Sequence, residues 1–417
     1  MEFKMNKEGF ERVVKLIEGS RDYAIHVLGR IIPVPALSPE NGGKGEWEKA
    51  EVLIELLKGA GFEDIVVHES PDKRTQRGTR PNIIAMIGGK KRGEKRLWIM
   101  SHIDVVPPGD REKWHSDPWN IKVDGDRVYG RGTEDNGQGI VTSLVLGRAI
   151  KSSGQKPESD LCLLFVADEE TGSEHGIQYI MKNHRPFRKE DIVVIPDAGE
   201  SDGRTIEIAE KSILWTKITI QGEQTHASTP QRGKNAHYAG AKLIVMMRKL
   251  YEDFGVVNNL FDPPVSTFEP TKKEANVPNI NTIPGEDIFY FDSRILPCYK
   301  LDEVKGVMEK YIREIEKELG VKVNVEYVQE VAAPPATSPD SQVVKVLQKA
   351  VSELRKIEAK PIGIGGGTVA AYLRKEDIPC AVWATMDETM HGPDEYVKIS
   401  NVIEDAKVFA YMCFFNE

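Results

Sequence analysis

The stretch Arg96-Leu97-Trp98-Ile99-Met100-Ser101-His102-Ile103-Asp104 decides the reading of the fold, because a short apolar run there ends in side chains able to hold a metal ion. Two other segments share that form. Leu161-Cys162-Leu163-Leu164-Phe165-Val166 runs into Glu169 and Glu170, and Ile192-Val193-Val194-Ile195 runs into Asp197. Apolar runs of this length, bounded by turn residues, predict strands covered on both faces by helices, as in a parallel sheet. Ligand sites in such sheets lie beyond the carboxyl ends of the strands, so the three termini are expected to converge on one crevice. The repeated coincidence implies a metal-dependent hydrolase.

Working outward, helical patterns near 7–31, 46–60 and 139–151 alternate with these strands, the grammar of an α/β domain. From Leu214 the pattern changes. Strand-like Trp215 to Ile220, a helix Asn235 to Phe254, strands Val265 to Phe268 and Asp287 to Arg294, a helix Leu301 to Leu319 and a strand Val321 to Val328 give the order βαββαβ. That is the order of a small ferredoxin-like α+β domain. A linker composition follows at Ala332-Ala333-Pro334-Pro335-Ala336, and the α/β alternation then resumes. The second domain therefore reads as an insertion, 214–326, in a discontinuous catalytic domain, 1–213 with 327–417.

The chain has 417 residues, more than one ordinary core holds, and a net charge of -9. An acidic balance without a basic stripe argues against nucleic acid as a partner. No membrane-spanning length and no apolar secretory core are seen at the charged, amphipathic start. Cys162, Cys298, Cys380 and Cys413 are scattered, which suits buried thiols in a reducing cytoplasm.

His102 and Asp104 stand two apart, so on an extended segment Asp104 can accept a hydrogen bond from the imidazole nitrogen that does not face a metal. The plainer alternative is a structural histidine at a strand end. Asp135 lies in the glycine-rich loop Gly130 to Gly139 that opens a helix, and its two oxygens could bridge two cations; the loop could also be only a turn. Glu169 and Glu170, delivered side by side by a buried strand, repel unless cations or protons compensate them. On an extended backbone one would bind metal while the other faces the reacting water. Asp197 and His391 complete two imidazoles and three carboxylates, a set suited to zinc or cobalt. Three negative ligands and a hydroxide balance two divalent cations, which at a spacing of about 3.5 Å polarise a carbonyl and generate hydroxide at neutral pH.

SHIDVVPPGD (101–110), GRGTEDNGQG (130–139), ADEETGSEHG (167–176), PDAGE (196–200), QTHASTP (224–230), NINTIPGEDIFYFDSR (279–294) and MHGPDE (390–395) resemble the successive motifs of one family of dinuclear zinc hydrolases. The family contains acetylornithine deacetylase, succinyl-diaminopimelate desuccinylase, aminoacylase, glutamate carboxypeptidase, carnosinase and tripeptidase, and the resemblance is greatest to archaeal members. It implies a zinc-peptidase-like catalytic domain with a central mixed sheet and an inserted lid domain that also pairs two subunits as a homodimer. His102 and Glu170 or Asp197 would divide between two divalent metals, zinc or else cobalt or manganese, with His391 completing the second position and Asp135 bridging. The Asp135–Asn136 peptide would be cis. Glu169 would be general base and acid, and Asp104 its companion that orients His102.

The resemblance also assigns residues of the inserted domain. His226 would stabilise the oxyanion, in some relatives from the neighbouring subunit. Asn281 and Arg294 would hold a substrate carboxylate, with Gly366, Gly367 and Thr368 closing around it. Each has a plainer reading as a polar loop, a strand-end ion pair or a tight turn. The substrate expected is a small peptide with a free carboxylate, the alternative an N-acyl amino acid. Asp197 favours the first, because the family's deacylases usually carry Glu at that position and its dipeptidases and tripeptidases commonly carry Asp. Gln138 stands where many members carry Lys. A metal-free relative that only binds ligands would lack a ligand or the base, and all six residues are present.

Overall fold

The computed structural model describes residues 4–416. Among them is an eight-stranded mixed sheet whose inner strands, in the order Cys380–Val382, Ile192–Ile195, Arg96–His102 and Asp160–Val166, run parallel. Thr79–Ile87 and Asp64–Pro71 continue the sheet antiparallel. Every residue of Asp160–Val166 is buried, as expected of a strand with helices on both faces. The register pairs His102 with Val166 and Ile99 with Val194. The three apolar runs therefore end at the same sheet edge.

The helix Gly137–Ser153 starts from the glycine-rich loop and packs with the helices Lys7–Glu18 and Ile399–Phe414. The expected helix over 7–31 is two, Lys7–Glu18 and Arg21–Ile31, broken at Gly19 and Ser20, both weak helix formers. The expected helix over 235–254 is likewise divided into Ala236–Met247 and Leu250–Asp253. No helix among the described residues is long and apolar enough to cross a membrane.

The chain divides into two compact units. One runs to Ile208, returns over Thr337–Pro361 and resumes at Tyr372; the other holds Ala209–Ala336 with Ile362–Ala371. The second unit has the strand and helix order read from the sequence. Its four-stranded antiparallel sheet, ordered Thr267–Lys273, Glu286–Ile295, Ser212–Gln221 and Lys322–Val331, shares a core with the helices Ala236–Met247 and Leu301–Leu319. Strict alternation of burial along Glu286–Ile295 puts Phe289 and Phe291 in that core and Asp292 and Arg294 on the opposite face. The segment Ile362–Ala371, which sequence reading left with the first domain, is tied into this unit by Gly363 N to Leu260 O (2.6 Å) and Lys211 N to Ile364 O (3.0 Å).

Within the first unit the helix beside the sheet leaves no room at Gly147, where a Cβ would lie 2.3 Å from Cζ of Phe62. Gly147→Ala would gain about 1 kcal/mol of helix propensity. Phe62 is only 2% exposed, so overpacking against it should cost more, about 1–3 kcal/mol. Urea unfolding should show a net loss of stability that Phe62→Leu relieves in the double variant. A raised midpoint for Gly147→Ala alone would mean that the ring yields freely.

Candidate metal centre

The five expected ligands are brought together. Asp135 presents one oxygen to each imidazole, with Oδ1 2.8 Å from Nε2 of His102 and Oδ2 3.1 Å from Nε2 of His391. Nε2 of His102 is also 3.4 Å from Oδ1 of Asp197, and Nε2 of His391 is 3.2 Å from Oε2 of Glu170. Two positions result, which we call the His102 position (His102, Asp135, Asp197) and the His391 position (His391, Asp135, Glu170). Ligand atoms of His102, Glu169 and Asp197 lie within 4.8 Å of one another, as do those of His102, Asp135 and Glu170. The Asp135–Asn136 peptide is cis.

The electrostatics show what this set accepts. Burial works against a charged imidazole at His102, yet Asp197, Asp104 and Asp135 together hold it protonated well above the ordinary range. Hydrogen bonds to Asp135 and Glu170 push His391 up to about 10. Burial would raise Asp135, but the two imidazoles prevail and keep it ionised. Glu169 is driven well above the usual carboxylate range by burial and then by Asp197, and Glu170 is raised mainly by burial. Protons on the imidazoles thus do what cations would do. Oε1 of Glu170 is buried without a hydrogen-bond partner, a costly state for a carboxylate oxygen unless a cation meets it. The donor set and this oxygen fit two divalent ions.

Glu169 and Glu170 sit in a 3-10 turn, Glu169–Thr171, and not on extended chain as expected, because Asp168 before them adopts a left-handed backbone (φ 66°). Asp104 also departs from its expected part. Nδ1 of His102 faces the Asp104 main-chain oxygen at 3.0 Å, while the carboxylate lies 3.5 Å away. The carboxylate instead accepts the main-chain N–H groups of Glu169 and Glu170, each at 3.0 Å. Two N–H donors converging from the turn are a better match for two carboxylate oxygens than one imidazole nitrogen. Asp168 is held in turn by Nη1 of fully buried Arg80 (2.9 Å), which also binds both oxygens of Glu46.

In the second unit, Nδ1 of exposed His226 accepts the Ser228 N–H at 3.1 Å, which places the ring proton on Nε2. His226 pairs with Thr282 across two short strands, and Ala227 N donates to Asn281 O (2.9 Å). The Arg294 guanidinium gives Nε and Nη2 to Asp292 and Nη1 to Gly365 O. Of its five N–H groups, one on Nη1 and one on Nη2 remain. A Cβ added at Gly366 would meet nothing within 4 Å, and one at Gly367 would meet only Oε2 of Glu210, at 3.6 Å, so the main chain there is open to an approaching ligand. The Thr368 hydroxyl is engaged by Glu210 at 2.7 Å.

Gln138 is explained by its neighbours. Its Nε2 donates to Thr385 O and to buried Asp405, whose charge Arg355 offsets at 3.4 Å. Sequence reading missed Glu134, Glu395, Arg80 and Asp168. The first two lie inside stretches already singled out, GRGTEDNGQG and MHGPDE, but spacing does not distinguish a carboxylate that binds metal from one that binds backbone.

Known proteins resemble this chain over most of its length. Residues 98–414 match the model of Peptidase family M20/M25/M40. A protein of Methanocaldococcus jannaschii named as an uncharacterized metallohydrolase is 38% identical over 401 residues, covering 93% of this chain and 97% of its own. A succinyl-diaminopimelate desuccinylase of Pelagibacter ubique is 24% identical over 397 residues, covering 93% and 97%. Human carnosine dipeptidase 1 superposes with a TM-score of 0.74 at 17% identity, over 97% of this chain and 98% of its own. Aminopeptidase PepT from Bacillus cereus gives 0.73 at 18%, over 94% and 98%. At these identities the structural likeness speaks for the fold.

A cation can enter the His391 position only by displacing the imidazole proton. The pKa of His391 is raised from 6.5 to about 10, so its pairing supports the metal-free fold fully below pH 6.5 and is lost as pH rises through about 10. Metal uptake at neutral pH should therefore release protons, and the apparent affinity should climb by up to about tenfold per pH unit in that window. Calorimetric titrations in buffers of different ionisation enthalpy read both. An affinity independent of pH would contradict the assignment of His391.

Proposed function

The chain belongs to peptidase family M20/M25/M40, and from that premise we propose that it hydrolyses the amide bond of small peptides carrying a free carboxylate, using two divalent cations. The observation that carries this reading is Asp135, whose two oxygens each face a different imidazole within a set of three carboxylates. The cations, zinc or else cobalt or manganese, would supply Lewis acidity toward the scissile carbonyl and a nucleophile at neutral pH. His102, Asp135 and Asp197 would hold one, and His391, Asp135 and Glu170 the other.

Glu169 would take the proton from the attacking water and pass it to the leaving nitrogen. Its raised pKa in the metal-free chain reflects the burial and acidic neighbours that make a carboxylate ready to hold a proton. Asp104 would keep that carboxylate in place through the turn it caps. His226 would donate Nε2–H to the oxyanion, the kind of preorganised contact that contributes most in acyl transfer. The two free N–H groups of Arg294 suit a substrate carboxylate, and the glycine segment beside it offers main-chain N–H groups. Since His226, Asn281 and Arg294 all belong to the second unit, this unit would act as a lid. We assign it the homodimer contact as well, on the support of Ile280, an apolar residue fully exposed beside Asn281.

N-acyl amino acids are the second reading, favoured by the desuccinylases among the relatives. Asp197 supports peptides over these. A panel of dipeptides, tripeptides, N-acetyl and N-succinyl amino acids on one metal-loaded preparation decides it: dipeptides or tripeptides should give the highest kcat/KM, and faster turnover of the N-acyl compounds would overturn the choice.

Glu169→Gln should keep both cations and lose about 10²–10⁴ in kcat, whereas Glu170→Gln should also lose cation from the His391 position. Equal cation loss in the two variants would remove the division of labour. Arg294→Ala should raise KM for free-acid substrates and abolish their advantage over C-terminal amides, while His226→Ala should act mainly on kcat. A preserved preference for free acids in Arg294→Ala would place the carboxylate elsewhere.

A further inference from the structure

Two buried carboxylates that take no part in the ligand set are exchanged between the loops carrying Asp135 and His391. Glu134 reaches from the first loop into the second, where its Oε1 accepts Asp387 N (2.7 Å) and its Oε2 accepts Thr389 N (2.5 Å) and the Thr389 hydroxyl (2.7 Å). Glu395 reaches from the second into the first. Its Oε2 accepts Gly132 N (2.9 Å) and Nη1 of Arg131 (2.5 Å), and its Oε1 accepts Glu134 N (2.9 Å) and Asp135 N (3.1 Å). Arg131 closes the circuit by donating from Nη2 to Gly392 O (3.0 Å). Glu134 is 1% exposed and Glu395 fully buried.

Each carboxylate therefore binds backbone near a ligand that its own loop does not carry, Glu134 at Thr389 in the loop of His391 and Glu395 at Asp135 itself. His391 is bracketed, by Thr389 on one side and Gly392 on the other. It needs that, for its backbone is left-handed (φ 62°), a conformation that residues other than glycine keep only where the surroundings impose it. Asp135 is fixed through its own N–H. The His102 position depends on the clamp only through the shared Asp135: His102 ends a buried strand, and Asp197 follows another strand and is held by Nδ2 of Asn136 at 2.5 Å. His391 is also the more exposed imidazole, its side chain 55% accessible against 2% for His102.

We infer that Glu134 and Glu395 are positioning residues that set the span between Asp135 and His391, and that this reciprocal clamp, more than the ligands alone, retains the cation at the His391 position. The inference rests on the two-cation reading above. Rigid support of this kind commonly governs metal affinity as strongly as the choice of ligand. Loosening the clamp turns a two-cation chain into a one-cation chain.

Calorimetric titration of Zn²⁺ into the full-length, metal-stripped protein tests this, with thermal melting of the metal-free form alongside. Glu134→Gln and Glu395→Gln should keep the first binding event within a few-fold and weaken the second by about 10- to 100-fold. Thr389→Val, which removes only a hydroxyl from the clamp, should weaken the second event by a smaller factor with the melting temperature unchanged, and it decides the matter if a Gln variant fails to fold. Two events of unaltered affinity in Thr389→Val and in the folded Gln variants would overturn the clamp alone, as would equal weakening of both events. A wild-type chain that binds fewer than two ions would instead remove the two-cation reading and this inference with it.

Discussion

Carboxylates that converge in a buried crevice repel one another, and this repulsion is the constraint around which the structure is organised. Parallel strands ending in register deliver His102, the Glu169–Glu170 turn and Asp197 to one edge; the loops at Asp135 and His391 add the rest. The charge has to be met by something positive. In the metal-free chain the imidazoles meet it by holding protons far above their ordinary range.

Acidic side chains around the centre do two kinds of work, which the state of their oxygens separates except at Asp197, whose Oδ1 both accepts Nδ2 of Asn136 and faces His102. Asp104, Glu134, Glu395 and Asp168 have their oxygens filled by N–H or O–H donors from neighbouring turns. They hold backbone. Asp135 and Glu170 turn oxygens toward imidazoles, and Oε1 of Glu170 has no donor at all. These are the carboxylates with capacity for a cation. Catalytic geometry thus depends on residues that need not touch metal or substrate, since a displacement of about 1 Å in a ligand or base is enough to lower turnover substantially.

Much of this was legible in the sequence, for reasons that can be given element by element. The three apolar runs could be read because strands covered on both faces are apolar throughout, and the candidate ligands His102 and Asp197 because His and acidic residues stand out where such runs end. The order of elements in the second unit was visible in the alternation along Glu286–Ile295 and the helical spacing of Leu301–Leu319. What escaped was set by non-local contacts. The left-handed Asp168 that turns Glu169 and Glu170 off the strand is held by Arg80, 88 residues away in sequence, and Glu395 meets Gly132 across 263. The contacts of the Asp104 carboxylate with the Glu169 and Glu170 N–H groups were not legible, because spacing along one strand carries no information on a turn that arrives from the neighbouring strand. The attachment of Ile362–Ala371 to the second unit was missed for the same reason.

Anomalous diffraction at the zinc edge from crystals of the zinc-loaded protein examines the central claim most directly. Two peaks about 3.5 Å apart are expected, one among His102, Asp135 and Asp197 and the other among His391, Asp135 and Glu170, with Asp135 between them. A single peak, or two peaks that do not share Asp135, would contradict the account.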